Sequence, residues 1–251
     1  MYDDSKIGCY EFQVEPFSDD FKGLISWKSL GEVMLLSAQR HADSHGFGYG
    51  VDSSEHLSWV FSRLIIQMSR RPAAREKYSI KTWPSEIFRQ FTTRLFVVED
   101  AQGVAIGYAY SVWALIDIDT RQPADLAHLP GGSFYDMLVP APEFPISRPG
   151  RLRLGEDVKS IEHTVGYTDL DVNGHLNSIQ AIDLALNLKT AEFHARHEAV
   201  RIEMAYAKES LPGEKLNILY EEETPDVTNI EFRKPDGSAA IKAQIHWTET
   251  D

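Results

Sequence analysis

Proline decides how this chain can be partitioned. Pro130, Pro140, Pro142, Pro145 and Pro149 fall within twenty residues, with Gly131-Gly132 among them. Proline lacks a backbone donor and fixes φ, so such a stretch supports neither a regular helix nor a central strand. Residues 124–157 therefore read as a long connection between two folding units, residues 1–123 before it and 158–251 after it. A length of 251 residues accommodates two domains of ordinary size.

The two units repeat one pattern. Glu99-Asp100-Ala101-Gln102-Gly103 precedes an alternating run to Trp113, and Lys234-Pro235-Asp236-Gly237 precedes a similar run to Trp247; glycine leads tryptophan by ten positions in both. A strand, a turn holding Asp and Gly, then a strand is the signature of a β-hairpin. Each unit also has one clear helix ahead of its strands. In the first, Leu30, Val33, Met34, Ser37 and Ala38 recur at helical spacing behind Ser29 as N-cap. In the second, Ile179, Ile182, Leu184, Ala185, Leu186 and Leu188 make a helix too apolar for the surface, with Asn177 or Ser178 as cap. Strands near 201–208 and 215–223, joined by Pro212-Gly213, answer to strands at 62–69 and 77–83, joined through Pro72. The expected fold class is α+β, each unit a helix wrapped by a curved antiparallel sheet.

Composition narrows the function classes. The single cysteine, Cys9, removes a disulfide framework and any cysteine-based zinc site. The net charge of −13 is spread evenly, with 13 basic against 19 acidic residues up to Ser147 and 12 against 19 after it. Such a surface argues against nucleic acid as partner. No apolar run approaches the ~20 residues of a membrane-spanning helix. The acidic start, Met1-Tyr2-Asp3-Asp4-Ser5-Lys6, resembles neither a secretory signal nor a transit peptide, so a cytoplasmic location is expected. His41 and His45 share a helix face, but Ala42 stands where a His-Glu-x-x-His motif needs glutamate, and His194 and His197 complete no pattern either. No metal is expected. His163 and His246 are expected in strands without a catalytic neighbour.

Chemistry concentrates in Tyr167-Thr168-Asp169-Leu170-Asp171-Val172-Asn173-Gly174-His175-Leu176-Asn177-Ser178, just before the apolar helix. Two carboxylates, two amides and an imidazole share one turn. Gly174 has no side chain and would let a substrate approach the backbone. The set suits stabilisation of a carbonyl oxygen becoming an oxyanion. It equally suits a capping loop built from Asx turns. Glu209, expected on a strand beside a tight turn, reads on its own as a solvated carboxylate.

The Asp171-Val172-Asn173-Gly174-His175-Leu176-Asn177 string resembles the Asp-x-Asn-x-His-x-Asn motif of the fatty acyl-ACP thioesterases, double hot-dog proteins that release fatty acids from acyl carrier protein. Tyr206-Ala207-Lys208-Glu209-Ser210 is similar to a second segment of that family. Trp59-Val60-Phe61-Ser62-Arg63-Leu64, Thr82-Trp83-Pro84, and Trp113-Ala114-Leu115-Ile116-Asp117 with Thr120-Arg121 extend the likeness into the first half. The resemblance implies two tandem hot-dog domains and hydrolysis of fatty acyl-ACP, terminating fatty acid synthesis without a cofactor. It implies Asp171, Asn173, His175 and Glu209 as the catalytic group. Glu209 would activate water or attack the thioester directly, Asn173 would orient the water, and His175 would bind the carbonyl or donate a proton. Asp171 would fix the network, and backbone N–H groups of Gly174 and His175 would serve the oxyanion. An apolar acyl tunnel would bury Glu209 and make it a better base.

Departures from the family pattern sharpen the expectation. Ser210 stands where some members carry cysteine, Ser178 replaces a common asparagine, and no Gly-x-Ser-x-Gly elbow occurs. In the first half Asp20-Phe21-Lys22-Gly23-Leu24 corresponds to Asp171 through His175, with Lys22 for Asn173, Leu24 for His175 and Arg71 near the place of Glu209. One active site per chain follows. The first domain is then expected to supply the acyl pocket, with Trp27, Trp59, Phe61 and Phe91 as lining. Arg70, Arg71, Arg75, Lys77 and Lys81 crowd a stretch whose only acid is Glu76. They would dock an acidic carrier protein, or merely protect an edge strand. An acyl-CoA thioesterase and a non-catalytic acyl-binding protein are the alternatives. One chain already supplies two hot-dog units, which allows a monomer or a homodimer.

Overall fold

The computed structural model describes residues 4–48, 57–117, 119–120, 122–126, 134–148, 150–155 and 158–250. Pro130, Gly131, Gly132 and Pro149 of the connection, and Arg121, lie outside the described residues. The chain divides into two compact units: Met1–Ser62 with Met68–Arg148, and Arg63–Gln67 with Pro149–Asp251.

The first unit runs β1 (Gly8–Gln13), α1 (Trp27–Ser44), β2 (Leu57–Met68), β3 (Lys77–Phe88), β4 (Phe91–Asp100) and β5 (Ala105–Asp117). Its strands lie in the order β1-β3-β4-β5-β2. The second runs β6 (Lys159–Thr164), α2 (Gln180–Leu186), α3 (Ala191–Arg196), β7 (His197–Tyr206), β8 (Lys215–Thr224), β9 (Val227–Arg233) and β10 (Ala239–Glu249). Its order, β6-β8-β9-β10-β7, repeats the first strand for strand, and Arg63–Gln67, the part of β2 that belongs to this second unit, pairs antiparallel with Arg201–Ala205 of β7. Side-chain alternation explains the strands. In β10, Ile241, Ala243, Ile245 and Trp247 are buried while Lys242, Gln244 and His246 between them are not, the period-two pattern of a half-buried strand.

The helices differ from expectation at their ends. Ser26, not Ser29, caps α1: its Oγ accepts the Ser29 N–H at 3.0 Å. From there Leu30, Met34 and Ala38 repeat on the buried face. The apolar run of the second unit stops being helical at Leu186 instead of reaching Leu188. The amides of Leu188 and Lys189 turn back to carbonyls three residues earlier, and Thr190 Oγ1 caps a separate helix through Phe193 N at 3.2 Å. The proline-rich stretch also packs. Phe134 meets Phe47 edge-on at 5.3 Å, and the Trp83 indole donates to Val139 O at 3.1 Å.

One buried polar cluster crosses the first unit's core. His41 Nε2 donates to Lys6 O at 3.1 Å, which leaves Nδ1 as the acceptor for Arg94 Nη1 at 3.2 Å; the same Nη1 donates to Thr82 Oγ1 at 3.3 Å. A carbonyl can only accept, so the His41 tautomer is fixed by its neighbours. Burial, then the Arg94 charge, lowers the His41 pKa to about 3.

The repeat extends to single hydrogen bonds. Asp20 Oδ1 accepts from Lys22 N and Leu24 N, Gly23 takes φ +72°, and Ile25 N donates to Pro72 O. Asp171 Oδ1 accepts from Asn173 N and His175 N, Gly174 takes φ +75°, and Leu176 N donates to Ser210 O. Arg71 occupies the place of Glu209 in this alignment. Its guanidinium bonds Asp20 Oδ2 at 2.8 Å and Ile25 O at 2.6 Å, and it lies 5.6 Å over the Trp27 ring.

Arg71 is thus a structural cation, 6% exposed, and not a docking residue. Replacing it with alanine strands Asp20 and opens the loop, and is expected to cost about 3 kcal/mol in chemical denaturation, the low end for breaking a buried pair. His41 carries a pH signature. It stays neutral when folded and protonates when unfolded, so its contribution is complete above pH 6.5 and lost as pH falls toward about 3. The unfolding midpoint of His41→Gln is expected to fall less steeply than that of the parent across this window.

Candidate active site

Two loops of the second unit bring the expected side chains together. The first follows β6 and ends at α2; the second leaves β7 at Tyr206, so Glu209 lies in a loop and not on a strand. His175 Nε2 approaches Glu209 Oε2 at 3.6 Å. Three backbone ties hold the approach. Leu176 N donates to Ser210 O at 2.9 Å, Leu170 and Leu176 form a β-bridge, and Lys234 Nζ donates to Glu209 O at 2.7 Å. The imidazole and the carboxylate are 27% and 43% exposed, so Glu209 lacks the burial expected of it. Its access to solvent suits a base that must meet a water.

Asp171 is the organiser of the first loop. Its Oδ1 takes the Asn173 and His175 amides at 2.9 and 3.0 Å, while its own carbonyl takes the Gly174 amide at 3.0 Å. This is an Asx turn, the capping-loop reading of the segment. Its consequence is chemical: the Gly174 and His175 N–H groups, expected to serve an oxyanion, are already spent on Asp171. Asn177 Oδ1 likewise occupies the amides of Ile179 and Gln180 at the start of α2. Two side-chain donors remain on the loop: the Asn173 side-chain amide, which makes no hydrogen bond to other described residues, and the His175 imidazole. At φ +75° Gly174 takes the left-handed conformation that favours glycine, and a Cβ there would meet no protein atom within 4 Å.

Asp169 and His163 were not among the expected site residues, and they hold the loop from behind. Buried Asp169 accepts from His163 Nε2 at 2.8 Å, Gly166 N at 2.9 Å and Gln180 Nε2 at 3.4 Å, and its carbonyl accepts from Asn177 N. His163 lies in β6 as expected but does have a site neighbour. The signal available was a second carboxylate two residues before Asp171; the partner six residues upstream had none. Ser210 is 2% exposed, and its Oγ is the one buried side-chain polar atom among the described residues with no hydrogen-bond partner.

In the first unit a cavity opens between α1 and the sheet. Ala38, Trp59, Thr92, Arg94, Trp113 and Phe134 are on its wall. Trp27 lies instead beneath Arg71, Phe61 packs behind Trp113 at 4.4 Å, and Phe91 is paired with Phe88 and Ala114. Of the basic stretch, Arg70 pairs with Glu76 and Asp100 and Lys81 with Glu99, while Arg75 and Lys77 are exposed and make no ion pair to described residues.

Residues 9–128 match the acyl-ACP thioesterase N-terminal domain and residues 153–249 the corresponding C-terminal domain. A crystal structure of an acyl-ACP thioesterase from Bacteroides thetaiotaomicron superposes with a TM-score of 0.90 at 36% identity, covering 99% of this chain and 100% of that one. An oleoyl-acyl carrier protein thioesterase of Coriandrum sativum is 27% identical over 89% of this chain and 63% of its own length. Oleoyl-acyl carrier protein thioesterase 2 of Arabidopsis thaliana is 25% identical over 76% of this chain and 54% of its own. The chain thus spans a little over half the length of these chloroplastic relatives. With both domains matched in order and a solved relative overlaid from end to end, the chain belongs to the acyl-ACP thioesterase family.

Proposed function

We propose that this protein hydrolyses the thioester of a fatty acyl-ACP, releasing a free fatty acid and holo-carrier and terminating fatty acid synthesis. The observation that carries this reading is the 3.6 Å approach of His175 to Glu209, with Asn173 on the same loop. Glu209 takes a proton from water, and the hydroxide adds to the thioester carbon. The oxyanion that forms accepts hydrogen bonds from the Asn173 amide and from His175, the donors the Asx turn leaves available. Collapse breaks the C–S bond, and a proton passes through His175 to the departing thiolate. Asp171 positions both groups through the backbone and touches neither substrate nor water. The first-unit cavity receives the acyl chain. Water attack is favoured over a Glu209 acyl anhydride because the carboxylate is open to solvent. Cysteine chemistry is unsupported, since Ser210 follows Glu209 and Cys9 lies exposed on β1 of the first unit.

Carrier identity rests on charge. The patch contracts to Arg75 and Lys77, with Arg70 and Lys81 partly neutralised by their acids, and exposed unpaired cations are what an acidic carrier would read. Among the described residues no helix is long and apolar enough to cross a membrane. A cytoplasmic location and a monomer or homodimer complete the reading.

Two measurements test it. Glu209→Ala is expected to lower kcat on acyl-ACP by at least ~10²-fold, the usual scale for a general base, with acyl-ACP binding retained. Full activity in that variant would sink the mechanism. The double reversal Arg75→Glu, Lys77→Glu is expected to raise KM for acyl-ACP several-fold at unchanged kcat, and to leave KM for the same acyl group on CoA unaltered. Equal KM values for the parent and the variant on acyl-ACP would remove the docking assignment, and preference for CoA would make the protein an acyl-CoA thioesterase.

A further inference from the structure

Arg94 is a charge placed where an acyl chain needs none. Its side chain is buried, 8% exposed, yet it forms part of the wall of the first-unit cavity beside Trp59, Trp113 and Phe134. No carboxylate among the described residues pairs with it. Every hydrogen bond it makes there leaves from Nη1, to His41 Nδ1 and Thr82 Oγ1, and both acceptors are neutral. Nε and Nη2 donate to no described residue. Burial lowers its pKa to about 10, which keeps it charged at neutral pH. His41, held in one tautomer by Lys6 O, can only accept from it.

Guanidinium donors that lose water and find no acceptor cost free energy, roughly 1–3 kcal/mol per group and more when charged. A saturated hydrocarbon chain lying in this cavity would impose that cost each time it bound. An oxygen on the chain would remove it. We propose that the cavity selects acyl chains bearing a hydrogen-bond-accepting oxygen, a hydroxyl or keto group, and that Arg94 is the residue that reads it through Nε and Nη2. The inference rests on the cavity being the acyl receptor, as argued above. Gln39 on the same wall spends one of its two amide hydrogens on Asp43 at 2.8 Å and carries no charge, so Arg94 is the charged donor there. Sites built to hydrogen-bond a substrate oxygen reject analogues lacking it far more strongly than apolar pockets reject an added group.

The test compares acyl-ACPs of one chain length, unsubstituted or carrying a hydroxyl or keto group at successive positions. The parent protein is expected to show kcat/KM at least ~10-fold higher for one oxygenated position than for the plain chain. Arg94→Met is expected to abolish that preference, bringing kcat/KM for the oxygenated chain down to that for the plain chain, and Arg94→Lys to keep part of it. A parent that favours the plain chain over every oxygenated one overturns the proposal, as does an Arg94→Met variant that slows all substrates in equal proportion. Binding is read separately through the fluorescence of Trp59 and Trp113, using an alkane diol against the mono-alcohol of the same length. Tighter diol binding that disappears in Arg94→Met supports the reading of Arg94 even if no acyl-ACP is hydrolysed, an outcome that would instead remove the proposed function. Equal binding of the two alcohols by the parent counts against it.

Discussion

The bond from Leu176 N to Ser210 O is the contact on which the site depends. It joins two loops that are far apart in sequence, one carrying Asn173 and His175, the other Glu209. Side chains with several rotatable bonds meet only if their backbones are fixed first, and ordering those backbones opposes folding by about 1–2 kcal/mol per residue. The loop on one side is stiffened by Asp171, and the turn on the other by Glu214, which accepts Leu211 N and pairs with Lys234. Lys234 in turn grips the carbonyl of Glu209. Neither loop would hold its partner's register without these ties.

The first unit shows the same frame without the chemistry. Ile25 N bonds Pro72 O as Leu176 N bonds Ser210 O, and Asp20 repeats the turn of Asp171. Where the second unit presents Asn173, His175 and Glu209, the first presents Lys22, Leu24 and Arg71. With the opposite charge at the glutamate position, Arg71 folds inward onto Asp20 and the Ile25 carbonyl. Where the second unit has a solvent-facing carboxylate, the first has an internal ion pair.

Much of this was legible before the structure. Alternation and turn residues located most of the strands, and the offset between halves placed Arg71 opposite Glu209. Helix ends were less legible because caps depend on one side-chain rotamer: Ser26 and Ser29 both precede an apolar run, and only geometry distinguishes them. The Asx turn could be named from Asp and Asn, but not the fact that it consumes the Gly174 and His175 amides. Partnerships across long gaps, such as His41 with Arg94 or His163 with Asp169, leave no periodic trace. Charge counting also misled at Arg71, since a run of cations in sequence says nothing about which one turns inward.

The Asp171 turn separates two jobs that many sites leave to the same atoms. Its hydrogen bonds run through backbone amides and one carboxylate, so the loop keeps its path whichever side chains stand at the second and fourth positions after the aspartate. Under the proposed mechanism, reactivity rests with those side chains and not with the turn. A scaffold of this kind can acquire, alter or discard its chemistry one residue at a time without passing through an unfolded intermediate. The two halves of this chain carry the same turn with different side chains at those positions, and evolvability here is a property of where the hydrogen bonds were placed.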